Sequence, residues 1–124
     1  MTFSFTGIDH IQVAGPKGCE EEAKRFYSGI LGLKELPKPE NLRARGGCWF
    51  QCGDQEIHVG IEEEFSPAKK AHPGLLVHNL LSLKQTLEEH HIPIKEEPPI
   101  QGRIRIHVSD PFGNRLEFLE FLNK

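Results

Sequence analysis

Apolar and polar positions change rhythm along the chain in an order that occurs twice. Residues 7 to 14, "GIDHIQVA", predict a strand with Ile11 and Val13 opposite Ile8, His10 and Gln12. "GPKG" interrupts it, and "CEEEAKRFYSGIL" then predicts a helix whose apolar stripe is Ala23, Phe26, Tyr27 and Ile30, with acids in the first turn. Gly32 ends the helix, "LKEL" is a short strand, and Pro37 and Pro39 mark a loop. "GCWFQC" and "QEIHVGI" then predict a hairpin turning at Gly53-Asp54.

A polar segment, "EEEFSPAKKA", separates this from a second round of the same order. "HPGLLVHN" predicts a strand, and "LLSLKQTLEEHH" a helix with Leu80, Leu83 and Leu87 on one side. "IPIKEE" is short and extended, and Pro98-Pro99 marks a loop. "RIRIHVS" and "RLEFLEF" predict a closing hairpin around "DPFGN", where Asp110 and Asn114 bond local backbone and Gly113 accepts positive φ. The pattern is β-α-β-β-β written twice, in module 1 (about 6–62) and module 2 (about 71–122), and the 124 residues fit one domain with a modest core.

The duplication singles out chemistry. His10 opens the first strand of one half, and His72 stands at the same place in the other. In the last strand of each half an ionisable residue has apolar neighbours, Ile57-His58-Val59 against Leu116-Glu117-Phe118. Glu56 shares the face of His58 because strand side chains alternate with period two. Flanking apolarity favours His58 as the partner of Glu117, with Ile57 and Val59 packing beneath the helices. A pseudo-twofold relation between the halves would let His10, His58, His72 and Glu117 converge. His107 shares the polar face of its strand with Arg103 and Arg105, and is expected to line the pocket or pair with a carboxylate. His78, His90 and His91 fall near helix ends, where solvent-facing or capping roles suit them.

Composition removes several classes. The net charge of -3 comes from scattered charges, with no basic stripe for nucleic acid. No apolar run approaches the ~18 residues of a membrane span, and the N-terminal stretch does not read as a signal peptide, so a cytoplasmic protein is expected. Cys19, Cys48 and Cys52 are too few for a disulfide framework. Cys48 and Cys52 would lie roughly 13 Å apart on a strand, beyond the ~7 Å Cα limit of a disulfide, so free thiols are expected.

The doubled pattern with "DHIQV…FYSGILGL…HPGLLV…DPFGNRLEF" resembles the vicinal oxygen chelate superfamily, which includes glyoxalase I, bleomycin-resistance proteins, fosfomycin-resistance enzymes and extradiol dioxygenases. The resemblance covers essentially the whole chain. It implies an α+β fold of two paired βαβββ modules forming a half-open barrel with a central pocket, usually as a homodimer. The superfamily's metal positions fall on His10, His58, His72 and Glu117, the set already chosen by the repeat. Imidazole and carboxylate ligands suit Zn, Ni, Co, Mn or Fe(II). The metal would chelate two neighbouring oxygens of a small-molecule substrate, with Glu117 as candidate base, in lyase, isomerase or dioxygenase chemistry. The rival expectation is a protein that sequesters a small molecule without catalysis. Arg43, Arg45, Arg103 and Arg105 are candidates to receive an anionic substrate group.

Overall fold

In the computed structural model, which describes residues 2–122, module 1 begins with β1 (His10–Gly15). Residues 1, 123 and 124 of the expected domain span lie outside the described residues. Helix α1 (Glu20–Ala23) follows, with three acidic residues at its positive end, and passes directly into a wider π-helical segment (Lys24–Ile30). Its i→i+5 character is visible where the Leu31 amide donates to the Phe26 carbonyl at 2.9 Å. Phe26 and Tyr27 are both buried, edge to face at 4.9 Å. The apolar period predicts the helix but not this change of winding.

Strands β2 (Lys34–Leu36), β3 (Cys48–Cys52) and β4 (Gln55–Ile61) complete the module, with a 3₁₀ segment (Glu40–Arg45) after Pro39. The sheet order is β1-β4-β3-β2, with β1 parallel to β4 and the other pairs antiparallel. Gly47 has φ 88°, and a Cβ there would collide with the Val59 carbonyl, so only glycine lets β3 start against β4.

Module 2 repeats the design. Strand β5 (Gly74–Leu76) leads to α2 (Leu80–Glu89), β6 (Lys95–Glu96), β7 (Arg103–Ser109) and β8 (Arg115–Phe121), in the sheet order β5-β8-β7-β6. The long hairpin strands of both modules form over the predicted stretches. The opening strands are shorter than their apolar patterns: β1 starts at His10 and β5 spans three residues. The helix of each module lies against one face of its sheet. Helix α2 contacts β8 and the π-helical segment contacts β3, where Tyr27 stacks on Phe50; Leu80, Leu87, Leu116, Phe118, Ile57 and Val59 share the same buried core.

Polar contacts join the modules. The Tyr27 hydroxyl donates to Asp110 Oδ2 at 2.7 Å, and Asn114 Nδ2 donates to the Ala14 carbonyl at 2.7 Å. Asp110 also accepts from the Phe112 and Asn114 amides, so the "DPFGN" turn is tied to its own backbone as its sequence predicts. All three cysteines are free, and burial pushes the Cys48 thiol up to about 11, which suits packing rather than reactivity. No helix among the described residues is long and apolar enough to cross a membrane.

Candidate metal centre

His72, His107 and Glu117 come together on the face of the second sheet opposite α2, with one ligand-capable atom from each lying within 4.8 Å of the others. Strand register explains the convergence. Gly74 pairs with Glu117, which sets His72 two residues upstream on the same side, and His107 lies directly opposite Glu117 across the β7–β8 hairpin. His72 Nε2 lies 3.0 Å from Glu117 Oε1, and His107 Nε2 lies 3.5 Å from the same oxygen.

His10 and His58 form a different cluster on module 1. Their rings stack at 4.2 Å, and Trp49 covers the other face of His58 at 4.0 Å and 2°. This covering explains why His58 is buried on the strand face opposite Ile57 and Val59. His58 Nε2 contacts Glu56 Oε1 at 2.8 Å, and His10 Nδ1 contacts Asp9 at 2.9 Å. Among the described residues, neither histidine joins the group around Glu117.

The two clusters are nevertheless counterparts. Two residues after His10, Gln12 pairs with His58; two residues after His72, Gly74 pairs with Glu117. Trp49 opposes His58 just as His107 opposes Glu117. His58, not Glu56, is therefore the register equivalent of Glu117. His107 occupies the place that Trp49 holds in module 1.

His107 pairs with carboxylates, as its place on a polar strand face predicts, and the hairpin register adds it to the group around Glu117. Counting outward from the "DPFGN" turn pairs Ser109 with Arg115 and then His107 with Glu117. Of the four named arginines, Arg105 reaches Glu117 Oε2 at 3.6 Å, and Arg103 lies over the Phe121 ring at 5.2 Å. Arg43 donates to the Lys38 carbonyl at 3.2 Å, and Arg45 lines a cavity with Trp49 and His58.

The model of the glyoxalase/bleomycin resistance protein/dioxygenase superfamily matches residues 7–118. The chain belongs to this superfamily. A glyoxalase family protein from Bacillus anthracis is 52% identical, with a TM-score of 0.94, covering 98% of this chain and 99% of that one. A lactoylglutathione lyase from Agrobacterium tumefaciens shares the fold at 19% identity and TM-score 0.73, covering 93% of each chain. A glyoxalase/dioxygenase from Nostoc punctiforme does so at 20% identity and TM-score 0.76, covering 99% of this chain and 100% of that one. No match was found among curated proteins.

Whether a superfamily metal suits these residues is decided by their lone pairs. His72 Nδ1 lies 2.9 Å from the Lys70 carbonyl, which can only accept, so that nitrogen carries the proton. His107 Nδ1 lies 2.6 Å from Glu97 Oε2. Burial raises the Glu97 carboxyl, but the His107 contact and the charges of Lys95 and Arg105 lower it further, so it is ionised and can only accept. In the neutral imidazoles both Nε2 atoms are therefore acceptors, and both face a carboxylate oxygen. Burial likewise raises Glu117, while His72, His107 and Arg105 bring it below its ordinary value. Buried His107 Nε2 has no hydrogen-bond partner. With neutral imidazoles, two Nε2 lone pairs and a carboxylate oxygen turn toward one another, an arrangement that a cation can bridge, and the Nδ1 bonds fix the rings as outer partners of metal-bound histidines do. The donor set fits a divalent metal.

Proposed function

We propose that this glyoxalase-family chain is a divalent-metal-dependent enzyme acting on a small molecule with two vicinal oxygens, and that His72, His107 and Glu117 hold the metal. The observation that carries this reading is the convergence of two Nε2 lone pairs on the Glu117 carboxylate. Two histidines and one carboxylate suit Fe(II), Mn, Co, Ni or Zn. When bound, the metal would polarise two neighbouring substrate oxygens as a Lewis acid. The residues divide the remaining work. Glu97 orients His107, and the Lys70 carbonyl orients His72. Arg105 keeps Glu117 ionised, the state required of a group that accepts a proton alpha to a carbonyl. Lyase or isomerase chemistry uses that proton transfer, and dioxygenase chemistry uses the open positions of a three-ligand centre.

A second ligand set follows from the register equivalence. In it, His10 and His58 of a second copy join His72 and Glu117 at a homodimer interface, since one chain does not bring the four together. The whole chain then acts as one domain, in the cytoplasm.

Metal content separates the readings. Protein purified without chelators should carry about one equivalent of divalent metal per chain, and His107→Ala should lose it while His58→Ala keeps it. Loss in His58→Ala with retention in His107→Ala favours the shared four-ligand set. Protein that takes up none of these metals, yet binds a small molecule regardless of EDTA, is a sequestering protein and the enzyme reading falls.

A further inference from the structure

Beside the candidate metal centre, Arg115 is a cation with no counterion among the described residues. It shares the face of Glu117 on β8 and stands opposite Ser109 on β7, two pairs along from the His107–Glu117 pair. The other arginines of this face have occupations. Arg105 is paired with Glu117 and donates to the Pro98 carbonyl at 3.2 Å, and Arg103 covers Phe121. Among the described residues, Arg115 forms no ion pair with a carboxylate. Its one hydrogen-bond-range contact is His107 Nδ1 at 3.1 Å, and that nitrogen already gives its proton to Glu97. Two donors face each other there, so the guanidinium is left half-buried without an acceptor.

Its position gives the vacancy a use. Arg115 lines a cavity of about 380 Å³ with Lys95, His107 and Ser109, and another of about 370 Å³ with Gln12, His72 and Asn114. It therefore borders space on the sides of both histidines. Arg103, Arg105 and Arg115 of β7 and β8 share this face with the carboxylates of Glu117 and Glu97, and a divalent cation would add positive charge beside Arg115. One planar fork with free N–H groups matches a carboxylate, which it can grip through two parallel bonds, better than a phosphate that calls for more donors.

We propose that the substrate carries a carboxylate distinct from its two vicinal oxygens, and that Arg115 binds it. The substrate class is a small carboxylic acid bearing a hydroxy-carbonyl or dicarbonyl pair. This rests on the metal-centre reading, since the vicinal oxygens would occupy that centre.

The test uses Ni(II)-loaded full chain and two chelators with adjacent oxygens: acetohydroxamate, and succinohydroxamate, which adds a carboxylate. Calorimetric titration of the wild type should show succinohydroxamate binding about tenfold more tightly, the size of a charge-assisted hydrogen bond. Arg115→Gln should bring the two Kd values together without changing Ni(II) uptake or acetohydroxamate binding, and Arg115→Lys should keep part of the preference. Equal affinities in the wild type, or an undiminished preference in Arg115→Gln, overturn the proposal. If Ni(II) is not taken up, the metal-centre reading fails by itself. Succinate titrated into metal-free protein then decides the anion site: a shift of the Arg115 Nε–H resonance supports it, and its absence overturns it.

Discussion

His72 and Glu117 were legible because duplication puts ligand-capable residues at equivalent places, and pairing then carries one to the other. His107 was not, because its strand reads "RIRIHVS" and a histidine alternating with arginines looks like a wet face. What changes its meaning is the residue opposite, which depends on hairpin register rather than on local pattern. Register makes His58 the counterpart of Glu117, as the repeat predicts, but its burial against Trp49 and His10 is a contact between three strands that no single stretch displays. The role assigned to Glu97 gives a prediction at this scale. Glu97→Gln keeps the size but loses the charge that fixes the His107 tautomer, so metal affinity should fall about 10- to 100-fold. Competition with a chromogenic chelator measures it, and an unchanged affinity would detach Glu97 from the centre.

Among the elements, the periodic segments α2, β4, β7 and β8 formed where their patterns placed them, since each has a full apolar face to bury. Short edge strands β1 and β5 have fewer pairing partners and lose their first residues. The start of α2 shows a device that periodicity cannot. Asn79, at φ 72°, caps Ser82 with its side chain, and Glu120 from β8 accepts from the Asn79 and Leu80 amides, both at 2.8 Å. Those amide bonds bring the Glu120 carboxyl below its ordinary value, and the Gly47 amide does the same for Glu20. A carboxyl lowered in the folded state contributes stability above its unfolded value of about 4.3 and loses it as pH falls through the folded value. Glu120→Gln should therefore lower the urea midpoint at pH 6, and its difference from wild type should shrink at pH 3.5. A difference independent of pH would mean that charge plays no part in the cap. In the helix body, Leu87→Ala removes a fully buried side chain and should cost about 2–5 kcal/mol in the same assay.

For the whole molecule, the doubled β-α-β-β-β order followed from period, a local property repeated, and the resemblance implied the α+β class. How the modules meet did not, because it rests on Tyr27 reaching Asp110 and Asn114 reaching the Ala14 carbonyl across the chain. Tyr27 is fully buried, and burial first, then the Asp110 carboxylate, raises its hydroxyl well above the ordinary value, so it stays a donor. Tyr27→Phe should cost roughly 1–3 kcal/mol by urea unfolding, the range for a hydrogen bond to a charged group. A loss within error would mean that apolar packing alone joins the modules. Module 2 gathers its ligand-capable atoms at one place, beside Glu117. Anomalous diffraction from crystals soaked in Ni(II) tests metal binding there most directly. The account predicts one peak per chain with His72 Nε2, His107 Nε2 and a Glu117 oxygen each at about 2.0–2.2 Å. A peak that excludes His107, or no peak beside Glu117, would contradict it.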